Sequence, residues 1–285
     1  MKKIFIGTIF LFLANVAFTQ APPRLNMFEF TTSCGRTMNI YYVLHGNQIN
    51  DEMRPLIALH GMGRNARGMA NDFRMAVART ENVAVIVPHF SQANFTGAQY
   101  NQLNIHNGTV IRPFAEWTFH IVDEIFLYFR ERTGLRAERY ILYGHSAGGQ
   151  FVSRTFQLSQ SPFLDFGLAA NSGNFTFIDE TRYYPNGIRN LMDRREDMVN
   201  SIQNRRLYIM IGTLDNDPDA HDLSRAFMEQ GIHRYERNHN FYQHSRNIAQ
   251  QNNISFNWEL VVMEGVSHNA AQTLPFVVEV LRRTR

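Results

Sequence analysis

The chain has 285 residues, 44% of them hydrophobic and 23 of them phenylalanine, which supplies a large core and excludes an intrinsically disordered protein. Its formal charge is +3, and setting aside Lys2 and Lys3 of an apolar N-terminal segment leaves 26 basic against 25 acidic residues, about +1. The basic residues are also scattered, so nothing points to nucleic acid or a membrane surface as a partner, and a single cysteine, Cys34, excludes an intramolecular disulfide.

Residues 1–20 carry Lys2-Lys3, then an apolar run from Ile4 to Leu13, then small residues at Ala17 and Thr19, with Thr19 and Ala21 as a second cleavage option. The run is too short for a comfortable membrane span, so it predicts a secretory signal peptide and a secreted or periplasmic mature chain without a span. Met27–Thr32 and Thr37–Leu44 are rich in β-branched and aromatic residues and flank Cys34-Gly35-Arg36, predicting an antiparallel hairpin at a sheet edge. Cys34 lacks the preceding leucine of a lipidation site and is expected as a small buried residue. Pro55–His60 is an apolar strand that runs into His60-Gly61-Met62-Gly63. Ala66–Arg79 is helical, and Val83–Pro88 is another buried strand.

Phe90–Arg112 has many amides and no period, and a long loop of that kind is often functional. Phe114, Trp117, Ile121, Ile125, Tyr128 and Phe129 are spaced for an amphipathic helix. Tyr140–Tyr143 is a short buried strand, Gly144-His145-Ser146-Ala147-Gly148-Gly149 follows at once, and Gln150–Leu158 continues as a helix. Phe166–Ser172 predicts a strand, Asn174–Asn190 is irregular, and the polar Leu191–Arg205 is expected as a helix, with a flap over the site as one option for its role. Then come a strand at Leu207–Ile211, helices at Leu223–Gly231 and Arg237–Gln251, a strand at Trp258–Met263 and a closing helix at Ala270–Arg283. This alternation predicts an α/β fold over residues 21–285 as one domain: a mostly parallel sheet with helices on both faces and an antiparallel N-terminal hairpin.

The chemistry centres on Ser146. Strand, sharp turn and helix are the context that Gly-x-Ser-x-Gly demands. A serine at the tip of such a turn holds strained backbone, the glycines let strand and helix approach, and the helix aims its free N–H groups at the developing oxyanion. The serine needs a base, and His268 is the best placed of the 11 histidines, in the loop after the last strand. His145 is expected to point away as a packing residue, and His233, His239 and His244 to be exposed. The acid should follow a strand between serine and histidine, which selects Asp215, with Asp217 behind it; Asp219 and Asp222 fit a turn and a helix start. Oxyanion donors are expected at the backbone N–H groups of Ala147 and of Met62, with Gly61 or Gly63 as alternates, and His60 is expected to brace that loop. No metal-ligand spacing is present and no cofactor is implied.

The order Ser146, Asp215, His268 and the two glycine motifs resemble the α/β-hydrolase superfamily over roughly residues 27–285. Within it the chain looks most like the polyhydroxybutyrate-depolymerase and feruloyl-esterase group, with Gly-x-Ser-Ala-Gly-Gly and a His-Gly oxyanion loop. The resemblance implies a carboxylic-ester hydrolase acting on a small-molecule or polysaccharide-linked ester. A peptidase, thioesterase or lipase on the same fold, or an inactive binding protein, are the rival readings. The side chains of Phe90–Trp117 are candidates for the substrate pocket; Trp117 is the boldest of them, with a place in the core as the favoured alternative. The exported protein is expected to begin at Gln20 or Pro22. Intact-mass measurement of material from the periplasm or medium checks this, and a retained Met1 contradicts it.

Overall fold

The computed structural model describes residues 22–218 and 224–285. The expected leader at 1–20 lies outside them, as do Asp219 and Asp222. Among the described residues, eight strands form one sheet: β1 (Leu25–Thr31), β2 (Thr37–Leu44), β3 (Arg54–Leu59), β4 (Val83–Pro88), β5 (Tyr140–His145), β6 (Leu164–Ala170), β7 (Arg206–Gly212) and β8 (Trp258–Met263). Their spatial order is β1-β2-β4-β3-β5-β6-β7-β8. β2 pairs antiparallel with both β1 and β4, and every other pairing is parallel. The expected edge hairpin and parallel sheet are therefore both present.

The central strands are buried on both faces, which is why they read as unbroken apolar runs. Leu56 and Ala58 of β3 face one core layer and Ile57 and Leu59 the other. Helices α1 (Ala66–Ala76) and α6 (Ala270–Arg283) cover the first layer. Helices α2 (His120–Thr133), α3 (Ala147–Leu158), α4 (Arg195–Asn204) and α5 (Arg234–Gln251) cover the second. Every residue of α3 is buried, so the nucleophile helix has no solvent face. Because all parallel strands point the same way, the loops after β3, β5, β7 and β8 emerge on one edge.

Four expectations are corrected. The helix expected from Phe114 begins at His120: Pro113 opens a single 3₁₀ turn at Phe114–Glu116, and the aromatic spacing continues across it although the backbone does not. Trp117 is 2% exposed, packs on Phe114 and Phe119, and donates its indole N–H to the Arg112 carbonyl at 3.0 Å. That makes it a core residue rather than an accessible pocket wall. The polar segment at 191–205 is not a flap: α4 sinks Met198, Val199 and Ile202 into the core, and the indole of Trp258 donates to the Ser201 carbonyl. Cys34 is exposed in the hairpin turn, beside the Thr32 hydroxyl.

Residues 90–112 are irregular but not loose. Phe90, Phe95, Tyr100, Leu103 and Ile105 are fully buried. One helical turn, Gly97–Tyr100, is closed by a reciprocal Thr96–Gln99 capping box. Two buried arginines fix these segments. The Arg64 guanidinium donates to the carbonyls of Phe90 and Phe95 and lies 4.5 Å over the Tyr100 ring. Arg154 donates to Thr176, to Asn174 and to the carbonyl of Asn101. A buried guanidinium must find such acceptors or the fold loses the full cost of stripping its water.

Candidate active site

Ser146 stands between β5 and α3 with φ 57° and ψ −114°, a conformation a non-glycine residue keeps only when its surroundings impose it. The flanking glycines explain the imposition. A Cβ on Gly144 would lie 2.1 Å from the Gly148 carbonyl oxygen, and one on Gly148 would lie 2.2 Å from the Leu59 oxygen. No larger residue permits that approach of strand, helix and the end of β3. The turn is pinned by the Ser146 N–H donating to the Ala170 carbonyl at 2.9 Å and by the Gln150 N–H donating to the Ser146 carbonyl at 3.0 Å.

The loops after β7 and β8 bring the other two expected residues to the serine. His268 Nε2 is 3.0 Å from Ser146 Oγ, and its Nδ1 is 2.8 Å from Asp215 Oδ2. A carboxylate at Nδ1 holds the proton there and leaves Nε2 as acceptor for the serine hydroxyl. Asp215, not Asp217, makes this contact. It is 2% exposed. Burial pushes its carboxyl up, but the His268 imidazole and the Arg234 guanidinium outweigh burial and hold it below the ordinary range. Arg234, at the start of α5, donates to Asp215 Oδ1 at 3.1 Å, and the Tyr235 N–H donates to the Asp215 carbonyl. No sequence signal marks this role for Arg234, which lies in a polar stretch where a helix is expected only from Arg237.

The loop after β3 approaches from the other side. A Cβ on Gly61 would sit 3.5 Å from the Ser146 Cβ and 3.9 Å from its Oγ. Ala147 opens α3, so its N–H belongs to the first turn that has no partner within the helix. His60 braces this loop through three bonds. Its Nδ1–H donates to the Gly61 carbonyl, its Nε2 accepts from the Phe90 N–H, and its own carbonyl accepts from the Tyr100 hydroxyl at 2.6 Å. Burial drives its imidazole down to about 4, which keeps it neutral. Met62 follows, its side chain about half exposed.

His145 does not point away from the site. Its ring lies 4.7 Å from that of His268, and burial together with His268 lowers it to about 3. His233, His239 and His244 are half-buried rather than exposed, and His233 Nδ1 caps α5 by accepting from the Glu236 N–H. Among the described residues no group of three or more His, Cys, Asp or Glu side chains is placed to hold a metal ion, and no helix is long and apolar enough to cross a membrane.

His60 and His145 couple the site to folding. Both have folded pKa values below the 6.5 of an unperturbed histidine, so below pH 6.5 the unfolded chain binds protons that the folded chain refuses. Their contribution is complete above pH 6.5 and is lost as pH falls toward 4. At that point the loss is on the order of 3 kcal/mol for each, because every tenfold difference in proton affinity between the two states is about 1.4 kcal/mol. Thermal unfolding between pH 7 and 4 should show a falling Tm, with a shallower fall in His60→Gln; an unchanged slope in that variant contradicts the assignment.

No family model matches the chain, and no curated protein matches it. Solved structures do. Poly(aspartic acid) hydrolase-1 from Sphingomonas sp. KT-1 is 31% identical, with a TM-score of 0.85 over 92% of this chain and 99% of that one. The poly(3-hydroxybutyrate) depolymerase LpqC from Bordetella parapertussis is 22% identical, with a TM-score of 0.82 over 92% and 91%. An IroE-like serine hydrolase from Shewanella oneidensis shares the fold at 10% identity, with a TM-score of 0.57 over 91% and 79%. With its sheet order, its serine turn and this likeness together, the chain belongs to the esterase-type α/β-hydrolase superfamily.

Proposed function

We propose that the protein is an exported serine hydrolase that cleaves carboxylic esters through an acyl-enzyme on Ser146. The observation that carries the reading is the unbroken hydrogen-bonded line from Ser146 Oγ to His268 to Asp215, at 3.0 and 2.8 Å. Ser146 Oγ attacks the ester carbonyl and passes its proton to His268 Nε2. The tetrahedral oxyanion is met by the N–H groups of Ala147 and Met62, with Gly61 as the alternate. Collapse expels the alcohol, which takes the proton from His268. Water then attacks the acyl group, again giving a proton to His268, and the carboxylic acid leaves as Ser146 recovers its hydrogen. Asp215 holds the imidazole in register and offsets its charge, while Arg234 holds Asp215. Export is supported by residues 1–20, whose basic start, apolar run and small residues are those of a signal peptide.

A second reading is hydrolysis of an amide in an anionic polymer. It is favoured by the 31% identity to a protein named for poly(aspartic acid). The same triad serves both reactions, and the difference lies in protonating an amine rather than an alcohol as leaving group.

Turnover of a p-nitrophenyl ester by Ser146→Ala should be about 10⁴-fold or more below the parent. Equal rates for the two proteins refute the assignment. Running short-chain esters, poly(3-hydroxybutyrate) and poly(aspartate) side by side separates the readings: release of acid from the esters alone supports the first, and cleavage of poly(aspartate) supports the second.

A further inference from the structure

The three proposed catalytic groups hang on three different loops, and one buried side chain outside the triad ties two of them, those bearing Asp215 and His268, together. Asn171 is the first residue after β6 and is fully buried. Its backbone turns left-handed there, at φ 47°, a conformation that asparagine tolerates better than most residues. The main chain leaves the sheet at this point, but the side chain continues the ladder. The Asn171 backbone N–H donates to the Met210 carbonyl at 2.8 Å. Its Oδ1 accepts the Gly212 N–H at 2.9 Å, at the end of β7 and shortly before Asp215. Its Nδ2 donates to the Ser267 carbonyl at 2.9 Å, the peptide next to His268. The preceding carbonyl, Ala170, receives the Ser146 N–H.

The loop bearing His268 also crosses directly over the end of β7. A Cβ on Gly212 would lie 2.2 Å from the Val266 oxygen, and the Leu214 N–H donates to that same Val266 carbonyl at 3.0 Å. The loops bearing Asp215 and His268 are thus stacked on each other, and the Asn171 amide bonds to both. We infer that Asn171 is a positioning residue that sets the spacing of His268 and Asp215 by bracketing the end of β7 and the loop after β8, beside the Ala170 carbonyl that holds the Ser146 turn. This rests on the triad reading above. Asn171 does not touch the reacting atoms; it acts through the peptides beside them. A single amide is suited to the task because it offers one acceptor and a donor in one plane, and both are used.

Two variants test it. Asn171→Gly accepts the left-handed backbone without strain and removes both side-chain bonds. Asn171→Asp keeps the shape and the acceptor for Gly212 but turns a carboxylate oxygen toward the Ser267 carbonyl. Active sites are counted by titration with a fluorophosphonate, and kcat is expressed per titrated Ser146. Both variants should lose about 10- to 100-fold in kcat, with KM within about threefold and with labelling slowed in step, as expected when reacting groups are displaced by a fraction of an ångström to about one ångström. A residue that only supports the fold would lower the Tm and the number of titratable sites and leave kcat per site within about twofold. That result in either folded variant overturns the bracket, and Asn171→Asp is read alone if Asn171→Gly does not fold. An unmodified protein that never labels at Ser146 overturns the triad reading and the bracket with it. A parent that labels beside variants that label equally fast overturns the bracket alone.

Discussion

The close approach of three backbones around Ser146 is the constraint on which the rest of the site depends. The end of β5, the first turn of α3 and the end of β3 come together at distances that leave no room for a Cβ on Gly144 or Gly148. The crowding forces the serine into a positive-φ conformation that costs on the order of 1–3 kcal/mol by itself. Once that cost is met by packing on both faces of the sheet, several features follow without further devices. The serine hydroxyl stands clear of the strand. The loop after β3 is held so close that a Cβ on Gly61 would touch the Ser146 side chain, and His60 and Tyr100 lock it there.

The polar interior is arranged around the same edge. Asp215 is buried, yet it stays ionised because both of its oxygens are used, one by His268 and one by Arg234. Two neighbouring histidines, His60 and His145, are kept neutral by burial. That division matters electrostatically. A second imidazolium at His145, 4.7 Å from the His268 ring, would oppose the proton transfer that a triad requires. Arg154 and Arg64 work at longer range, fastening the irregular stretches that form the second layer beside α3.

What could be read from residues alone follows from the length scale of each signal. Buried parallel strands are continuous apolar runs, so Val83–Pro88 was readable to the residue, and the partly exposed edge strand Trp258–Met263 was readable from its mostly apolar, β-branched content. The serine turn was readable because its glycines answer a local steric demand. Asp215 and His268 were readable because the chain order of strands tells which loops share an edge. Other features depend on contacts that no local pattern records. Residues 90–112 bury five large side chains from a non-repeating backbone, so they show no period. Helix α4 buries only a narrow face, and its surface charges hid its role as a core element. Trp117 kept a helical spacing beside a segment that is a 3₁₀ turn. Arg234 and Asn171 were invisible because one arginine in a polar helix, or one asparagine after a strand, has no signature; their partners are 19 residues away for the first, and 41 and 96 residues away for the second.

The central claim is that an acyl group is carried covalently by Ser146 during turnover. It is tested most directly by acid-quenching the protein in the presence of an activated aryl ester and mapping the modified peptide by mass spectrometry. The account predicts the acyl mass on the peptide containing Ser146, and its absence both in Ser146→Ala and in protein first blocked with a fluorophosphonate. Ester hydrolysis that proceeds at the parent rate with no acyl group on Ser146, or with the acyl group on another residue, would contradict it.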